Sequence, residues 1–494
     1  MLRVYNFFKS FGAYMDEYLI GIDVGTTGVK AAVFSSDGNC LGRAYQTYPT
    51  IHSALHAAEQ LPSDWWNALV ATVRSACGNR ETAGRVAALS LSTQGGTIVP
   101  TDTSGNPLCP AFVWNDGRCG MQRLQYEKTF GSERMYLTSG WHAVDGLPAF
   151  QIKRLSDETP ELFHKAALFL SVADYLIMKL TGKACVDFSN AGINQLIDVK
   201  KSEYDSDTLS WLGITEKQLP ALVQSGQKIG CLQKEAAREL GLDENVCVVA
   251  GAHDQYAAML GAGAVSEGTV LIGAGTAWAA CTLFREPHFE TGFAQSRAAL
   301  GSQWGSLASL ANGGACLSWL NEKIFGGIPY EQIDRNAAQK PVGSGGLCFY
   351  PQNADIGSLN VFFTGMHLGH DRYDMARAVM EGVSFQMSRI LQRFALRTDI
   401  KKVVFSGGAA KSRFWSQLTC NMFGLPLSVP AMPDLPVAGA AALAGAGCGI
   451  FASVKEGIKK ISPAYDTYIP EEDKKELFAN LCRQYQKNEH IIIK

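Results

Sequence analysis

Apolar runs broken by glycine-rich turns open the chain. The segment YLIGIDVGTTGVKAAVFSSDGNCLGRAYQTY carries three β-like runs parted by Gly-Thr and Asp-Gly turn signals, which predicts a three-stranded meander. A comparable pattern returns at GTVLIGAGTAWAACTLF, where an apolar run ending at Ile272 meets Gly273, Ala274, Gly275 and Thr276 before a second apolar run. The two hairpins read as corresponding parts of duplicated halves. The halves are expected to meet near residues 250–265, where a strand over Val246 to Ala250 gives way to a small-residue helix after Asp254. Helical spacing covers residues 60–80 and 145–182, and VAALSLSTQGGTIVPTD reads as strand, turn, strand. Further on, ASLANGGACLSWLNEKIF and RYDMARAVMEGVSFQMSRILQRF have apolar residues at three- and four-residue intervals and predict helices. A strand ending at Phe405 is followed by a Gly-Gly turn and a helix with Phe414, Leu418 and Met422 on one face, closed by Gly424. AGAAALAGAGCGIF predicts a small-residue helix packed close to its neighbours, and the charged stretch beyond about Pro463 predicts a solvated terminal helix. Strands alternating with helices in two halves make this an α/β protein.

Length supports that division. A chain of 494 residues exceeds what one core usually organises, so two large domains are expected, residues 17–255 and 256–494. A hydrophobic share of 47%, a charged share of 18% and a net charge of -2 give no electrostatic footprint for nucleic acid or an acidic membrane. Small molecules are the expected partners, with a homodimer left open. Thirteen scattered cysteines without a C-x-x-C pair resemble neither a disulfide framework nor a zinc site, which suits a reducing cytoplasm. No stretch approaches the roughly 20 apolar residues that span a bilayer. The apolar run near the start is interrupted by Asn6, Lys9 and Ser10 and lacks a cleavage signal, so residues 1–16 read as an extension ahead of the first strand.

The chemistry concentrates at strand ends. Asp23 closes an apolar strand and is followed by Val24, Gly25, Thr26 and Thr27. Glycine lets such a hairpin bring backbone N–H groups close to phosphate oxygens, the hydroxyls add donors, and the carboxylate can hold magnesium through water. Read alone, this is equally a hairpin turn with a surface aspartate. Gly275 and Thr276 form a matching loop in the second half, and two such clamps suit one triphosphate. Asp254 follows a buried-looking strand and precedes a helix, which fits an N-cap or a base that accepts a hydroxyl proton during phosphoryl transfer. His253 beside it reads as a packing residue. Gly313 and Gly314 either line an adenine pocket or permit close helix packing, and Gly407 and Gly408 carry the same two readings.

Taken together, DVGTTGVKAAVF, GAHDQYAAMLGAGAV, GAGTAW, NGGACLSWL and SGGAAKSRFWSQLTCNMFGLPL resemble, in order and spacing, the FGGY family of carbohydrate kinases, over residues 18 to about 455. The resemblance implies two ribonuclease-H-like domains of the actin and hexokinase type, with ATP in the cleft between them. It implies that Asp23 is the magnesium-side aspartate, that Thr26 and Thr27 belong to the first phosphate loop and Gly275 and Thr276 to the second, and that Asp254 is the catalytic base. By the same resemblance Gly314, Gly408 and Ser412 contact the nucleotide, while Asp434 takes a structural place before the last helix.

Substrate choice is expected to lie in the first half, where EQLPSDWW, STQGGTIVPTD and VWNDGR resemble the xylulose-kinase branch. That branch has Gly-Gln-Met-His-Gly where this chain has Thr93, Gln94, Gly95, Gly96 and Thr97, so its Met-His contacts are missing. The Arg-Glu pair of glycerol kinases is missing too, which disfavours glycerol. Two glycines suggest extra space for a longer or differently branched ketose, and FYPQNADIGSLNVFFTGM is closer to kinases of L-xylulose-like sugars and related acids. The expected substrate is a ketose, a pentulose first. Other polyols, sugar acids and longer ketoses remain alternatives, as does a non-catalytic ATP- and sugar-binding sensor. Gln94, Trp114, Asn115 and Asp116 are the expected sugar contacts besides Asp254, because sugar hydroxyls call for convergent polar groups and an aromatic face. Core packing is the equal alternative for Trp114.

Overall fold

The computed structural model describes residues 17–351, 361–432 and 434–492. Residues 1–16 and 352–360, which include part of the segment compared with kinases of L-xylulose-like sugars, lie outside the described residues.

The opening meander is β1 (Tyr18–Val24), β2 (Gly28–Ser35) and β3 (Cys40–Thr47). Helix α1 (Pro62–Cys77) starts on a proline at its first turn and buries Trp65, Leu69 and Val73 on one face. Strands β4 (Val86–Thr93), β5 (Lys228–Cys231) and β6 (Cys247–His253) complete a six-stranded sheet of order β5-β6-β4-β1-β2-β3. Helix α2 (Asp254–Gly261) follows β6 directly.

The second sheet repeats the scheme. Strands β7 (Thr269–Ala274) and β8 (Trp278–Phe284) form the second hairpin, and β9 (Ala294–Arg297) and β10 (Trp304–Leu310) extend it. Then come helices α3 (Gly314–Leu320) and α4 (Arg372–Ala395), β11 (Lys402–Ser406), α5 (Arg413–Phe423) and β12 (Leu427–Pro430). Helix α6 (Leu435–Cys448), β13 (Tyr465–Tyr468) and α7 (Lys475–Ile492) close the chain. The sheet order is β9-β10-β8-β7-β11-β12-β13. In each half an antiparallel three-stranded meander is joined through its first strand to two parallel strands: β3-β2-β1-β4-β6 in one, β10-β8-β7-β11-β12 in the other. This shared order is the ribonuclease-H-like arrangement twice over.

Between the sheets lies a layer made by α2 and α6. Its apolar cluster draws on the first sheet (Leu19, Phe34, Val249) and the second (Leu271, Leu283, Val404) alike. The two helices touch backbone to backbone: a Cβ on Gly439 would stand 1.9 Å from the Ala257 carbonyl oxygen, and one on Gly261 1.9 Å from that of Leu435. Gly21 of β1 meets the Val437 carbonyl equally closely. Only glycine permits these approaches, and the expected tight packing of the small-residue helix is met.

Three expectations about elements change. Helix α3 begins at Gly314, because residues 304–310 pair with β8 as a strand. The stretch read as helical over 145–182 is interrupted by the strand Leu168–Leu170, which pairs with Val99–Thr101, the second strand of VAALSLSTQGGTIVPTD. The terminal segment is not merely solvated: Tyr465–Tyr468 pairs with β12 as an edge strand, and α7 buries Phe478, Leu481 and Tyr485 against the second core.

Candidate active site

Asp23 is the penultimate residue of β1, at the end facing the β1–β2 turn. The turn is tight, with the Gly25 N–H donating to the Gly28 carbonyl at 3.0 Å. Ser92 of neighbouring β4 donates its hydroxyl to Asp23 Oδ1 at 2.7 Å. Burial first, then the charge of Asp254, pushes the Asp23 carboxyl up to about 7, against the opposing help of Ser92 and Lys30. Two carboxylates from different elements thus act on each other by charge, Asp23 buried and Asp254 part-exposed. Lys30, across from Asp23 in the β1–β2 register, also pairs with Asp434 at 3.1 Å, ahead of α6.

Asp254 is the first residue of α2, and His253 occupies the N-cap position. Asp254 is therefore not a cap, and its side chain stays about 30% exposed beside Asp23. An irregularity in the β6–β4 register between Val249 and Ala252 shifts the end of β6, and the His253 N–H is fixed by Ser189 Oγ at 2.9 Å. The following residue, Gln255, reaches the second hairpin, with its Oε1 3.9 Å from where a Cβ on Gly273 would stand.

Around the first turn the polar network converges on Gln60, a fully buried residue that sequence reasoning did not single out. Its amide donates to the Thr26 carbonyl at 2.7 Å and to Thr50 Oγ1 at 2.9 Å, and its Oε1 accepts from Trp65 and Gln94. Gln94 is buried and its own Oε1 finds no partner among the described residues. Trp114 is 46% exposed, which removes the core-packing reading, and its indole N–H donates to Thr26 Oγ1 at 3.3 Å. Asn115 is exposed and Thr27 is exposed.

Two expectations fail here. Asp116 is fully buried, with its carboxylate committed to the Ala58 N–H and the Arg118 guanidinium, which hold its carboxyl below the usual range against burial. It fastens the loop that carries Trp114 and is not open to a sugar. The glycines at 95 and 96 leave no free room either. A Cβ on Gly95 would lie 2.5 Å from His253 Cδ2 and 2.8 Å from Ile193 Cγ2; one on Gly96 would meet Leu147 at 2.8 Å. Neighbouring side chains already fill the space.

In the second half the β7–β8 turn holds Gly275 and Thr276, both exposed. Helix α3 docks on it by its first turn: the Gly314 N–H donates to the Gly275 carbonyl and the Ala315 N–H to that of Thr276, both at 3.0 Å. A Cβ on Gly314 would stand 2.4 Å from the Gly275 oxygen, and one on Gly313 2.3 Å from the Trp278 ring. Close packing and cavity lining are therefore both true of Gly314. Gly275, Thr276, Gly314, Gly408 and Ser412 together line one cavity of about 540 Å³. Gly407 takes φ +100° and lies so close to the Ala274 backbone that a Cβ would stand 2.8 Å from it, and Ser412 caps α5 by accepting the Trp415 N–H at 2.9 Å. Sequence reasoning missed Tyr330, Glu331 and Asp334, which line the same cavity. They sit on the helix Tyr330–Ala337, which carries no glycine or strand-end signal.

Among the described residues no cluster of three or more His, Cys, Asp or Glu side chains forms a metal cage. Asp23 nevertheless fits a hard cation. Its ionised form is disfavoured by burial and by Asp254, which a dication beside it relieves, and magnesium typically takes one or two carboxylates and completes its shell with phosphate oxygens and water. Among the described residues no helix is long and apolar enough to cross a membrane.

Similarity to known proteins agrees with this geometry. The model of the FGGY family of carbohydrate kinases, N-terminal domain, matches residues 18–261, and that of its C-terminal domain matches residues 271–448. The chain is 27% identical to a xylulose kinase of Bacillus subtilis over 488 residues, 95% of this chain and 96% of that one. It is 25% identical to a gluconokinase of the same organism over 460 residues, 89% and 88% of the two chains. Its fold matches the crystal structure of a xylulose kinase from Lactobacillus acidophilus with a TM-score of 0.90 at 23% identity, over 97% and 98% of the two chains. With the family models spanning both halves, the chain belongs to the FGGY family of carbohydrate kinases and is an ATP-dependent sugar kinase.

Proposed function

We propose that the protein phosphorylates a ketose, a pentulose such as xylulose before others, with Asp254 as general base. The observation that carries the reading is the Asp254 carboxylate, unlatched from the helix it begins and set beside Asp23. Residues 17–255 bind the sugar and residues 256–494 the adenosine. Gln94, Asn115 and the exposed face of Trp114 hold the sugar, whose reacting hydroxyl gives its proton to Asp254 as the oxygen attacks the γ-phosphorus. The turns at Thr26–Thr27 and Gly275–Thr276 grip the phosphates through backbone N–H groups and hydroxyls. Gly314, Gly408 and Ser412 line the nucleoside's cavity. Magnesium, when bound, neutralises charge on the transferred phosphoryl group, and Asp23 is the residue that would hold it. Xylulose kinases among the relatives support the pentulose. Gluconokinases at similar identity support a sugar acid as second reading.

The test is ADP release from magnesium-ATP against ketopentoses, ketohexoses, gluconate and polyols, with mass spectrometry of the product and D254N alongside. D254N is expected to lose roughly 10²–10⁴ in kcat, the range of general-base catalysis, while binding ATP as the native enzyme does. An active D254N ends the assignment of the base. Gluconate as the fastest acceptor replaces the ketose.

A further inference from the structure

His253 is 95% buried, yet its Nδ1 has no hydrogen-bond partner among the described residues. Such an orphan is costly in a folded interior, so its direction matters. Nδ1 lies 3.4 Å from Asp254 Oδ1, near enough for electrostatic attraction but too poorly aligned to be a formed hydrogen bond. Other neighbours hold the ring in place. Trp141 and Tyr256 pack against it with centroids 6.1 and 5.8 Å away, and Gly95 supplies the floor, since any Cβ there would stand 2.8 Å from Nε2. The His253 backbone is pinned separately by Ser189. A packing residue needs no nitrogen aimed at a carboxylate, and no glycine beneath it.

We propose that His253 is a positioning residue for Asp254. Its Nδ1–H donates to Oδ1, selects one carboxylate rotamer and leaves the other oxygen to accept the sugar's proton, and Gly95 is glycine so that the imidazole can sit there. The contact shortens when substrate completes the site, as catalytic hydrogen bonds commonly do. The inference rests on Asp254 being the base.

The test compares H253F, which keeps a ring without the donor, H253N, which puts an amide N–H near the Nδ1 position, and G95A, which displaces the ring. Each is assayed with D254N on the best sugar from the acceptor panel. H253F and G95A are expected to lose roughly 30–100-fold in kcat, the scale of an ångström-level misplacement, with KM for magnesium-ATP within about twofold. H253N is expected to recover most of that loss, which a purely structural role for the ring would not predict. H253F with native kcat, or H253N as slow as H253F, overturns the proposal. Should H253F fail to fold, native kcat in G95A overturns it equally. D254N inactive beside a native-like H253F sinks the positioning role alone; an active D254N removes the base and the positioning role together.

Discussion

Asp23 shows how one residue can be costly to the fold and useful to the site. Its carboxyl titrates at about 7 where an exposed aspartate titrates near 3.8, through burial and the neighbouring Asp254. Folding therefore favours the protonated form. Near pH 4 and below, folded and unfolded chains both carry the proton and little is lost. Between about 4 and 7 the unfolded chain ionises first, so this residue's contribution to stability falls as pH rises, and above 7 the whole penalty applies. D23N removes the charge and keeps an oxygen for Ser92. It is expected to raise the melting temperature of the nucleotide-free protein by roughly 2–5 °C at pH 8, with no gain near pH 4, while kinase activity is lost. Equal melting curves at pH 8, followed by circular dichroism, would show that water reaches Asp23 freely. The strand-end motif pointed to Asp23 because the signal is local: an apolar strand, a carboxylate, a glycine turn. Asp116 in VWNDGR reads as a sugar contact, but its fate depends on Ala58, 58 residues away, and on an Arg118 fork that no spacing rule reads. The Gly95 vacancy misled for the same reason, since the side chains filling it, Ile193 and His253, come 98 and 158 positions later.

Helix α3 joins local and distant logic at the level of elements. Its first two N–H groups, which a helix leaves without intrahelical partners, are satisfied by the carbonyls of Gly275 and Thr276, so the turn of the second hairpin is held by the helix beside it. Placing a methyl at Gly314, 2.4 Å from the Gly275 oxygen, must push helix and turn apart. Overpacking of this kind costs about 1–3 kcal/mol, and here the cost falls on a wall of the cavity proposed to hold the nucleoside. G314A is expected to raise KM for ATP about tenfold while KM for the sugar stays near native, which steady-state kinetics with each substrate varied will read. A matched rise in both would place the strain elsewhere. Most elements were visible from periodicity, including the 24-residue α4 and the helix that Gly424 ends in a left-handed turn. Boundaries failed where pairing overrode pattern: Ala308–Leu310 reads as the start of a helix until β8 claims it as the end of a strand, and α7 reads as solvated until the second core takes up Tyr485.

For the whole molecule, duplication in sequence does not mean two independent bodies. The second half supplies α6 to cover the first sheet, with Val437 against Gly21, while α2, continuous with the first sheet, sends Tyr256 to the Gly305 carbonyl of the second at 3.3 Å. A second bridge runs along the edge strand β9: the Gln295 N–H donates to the Gly140 carbonyl at 2.7 Å and Trp141 Nε1 to Ser296 Oγ at 2.9 Å. Cutting the chain at 255 would strip α6 from the first sheet and expose Leu19, Phe34 and Val249 of the shared layer. Apolar burial of that kind is the main term holding a fold together, and here it belongs to both halves at once. Calorimetry is therefore expected to show one unfolding transition rather than two, and residues 17–255 expressed alone are expected to aggregate. Ligand linkage sharpens the test. ATP at 100 times its dissociation constant stabilises the state that binds it by about 2.7 kcal/mol, and in a coupled molecule that gain shifts the entire peak. If ATP instead moves the upper part of a split endotherm and leaves the lower part in place, the halves melt separately and the α2–α6 layer is a hinge that opens before either core gives way.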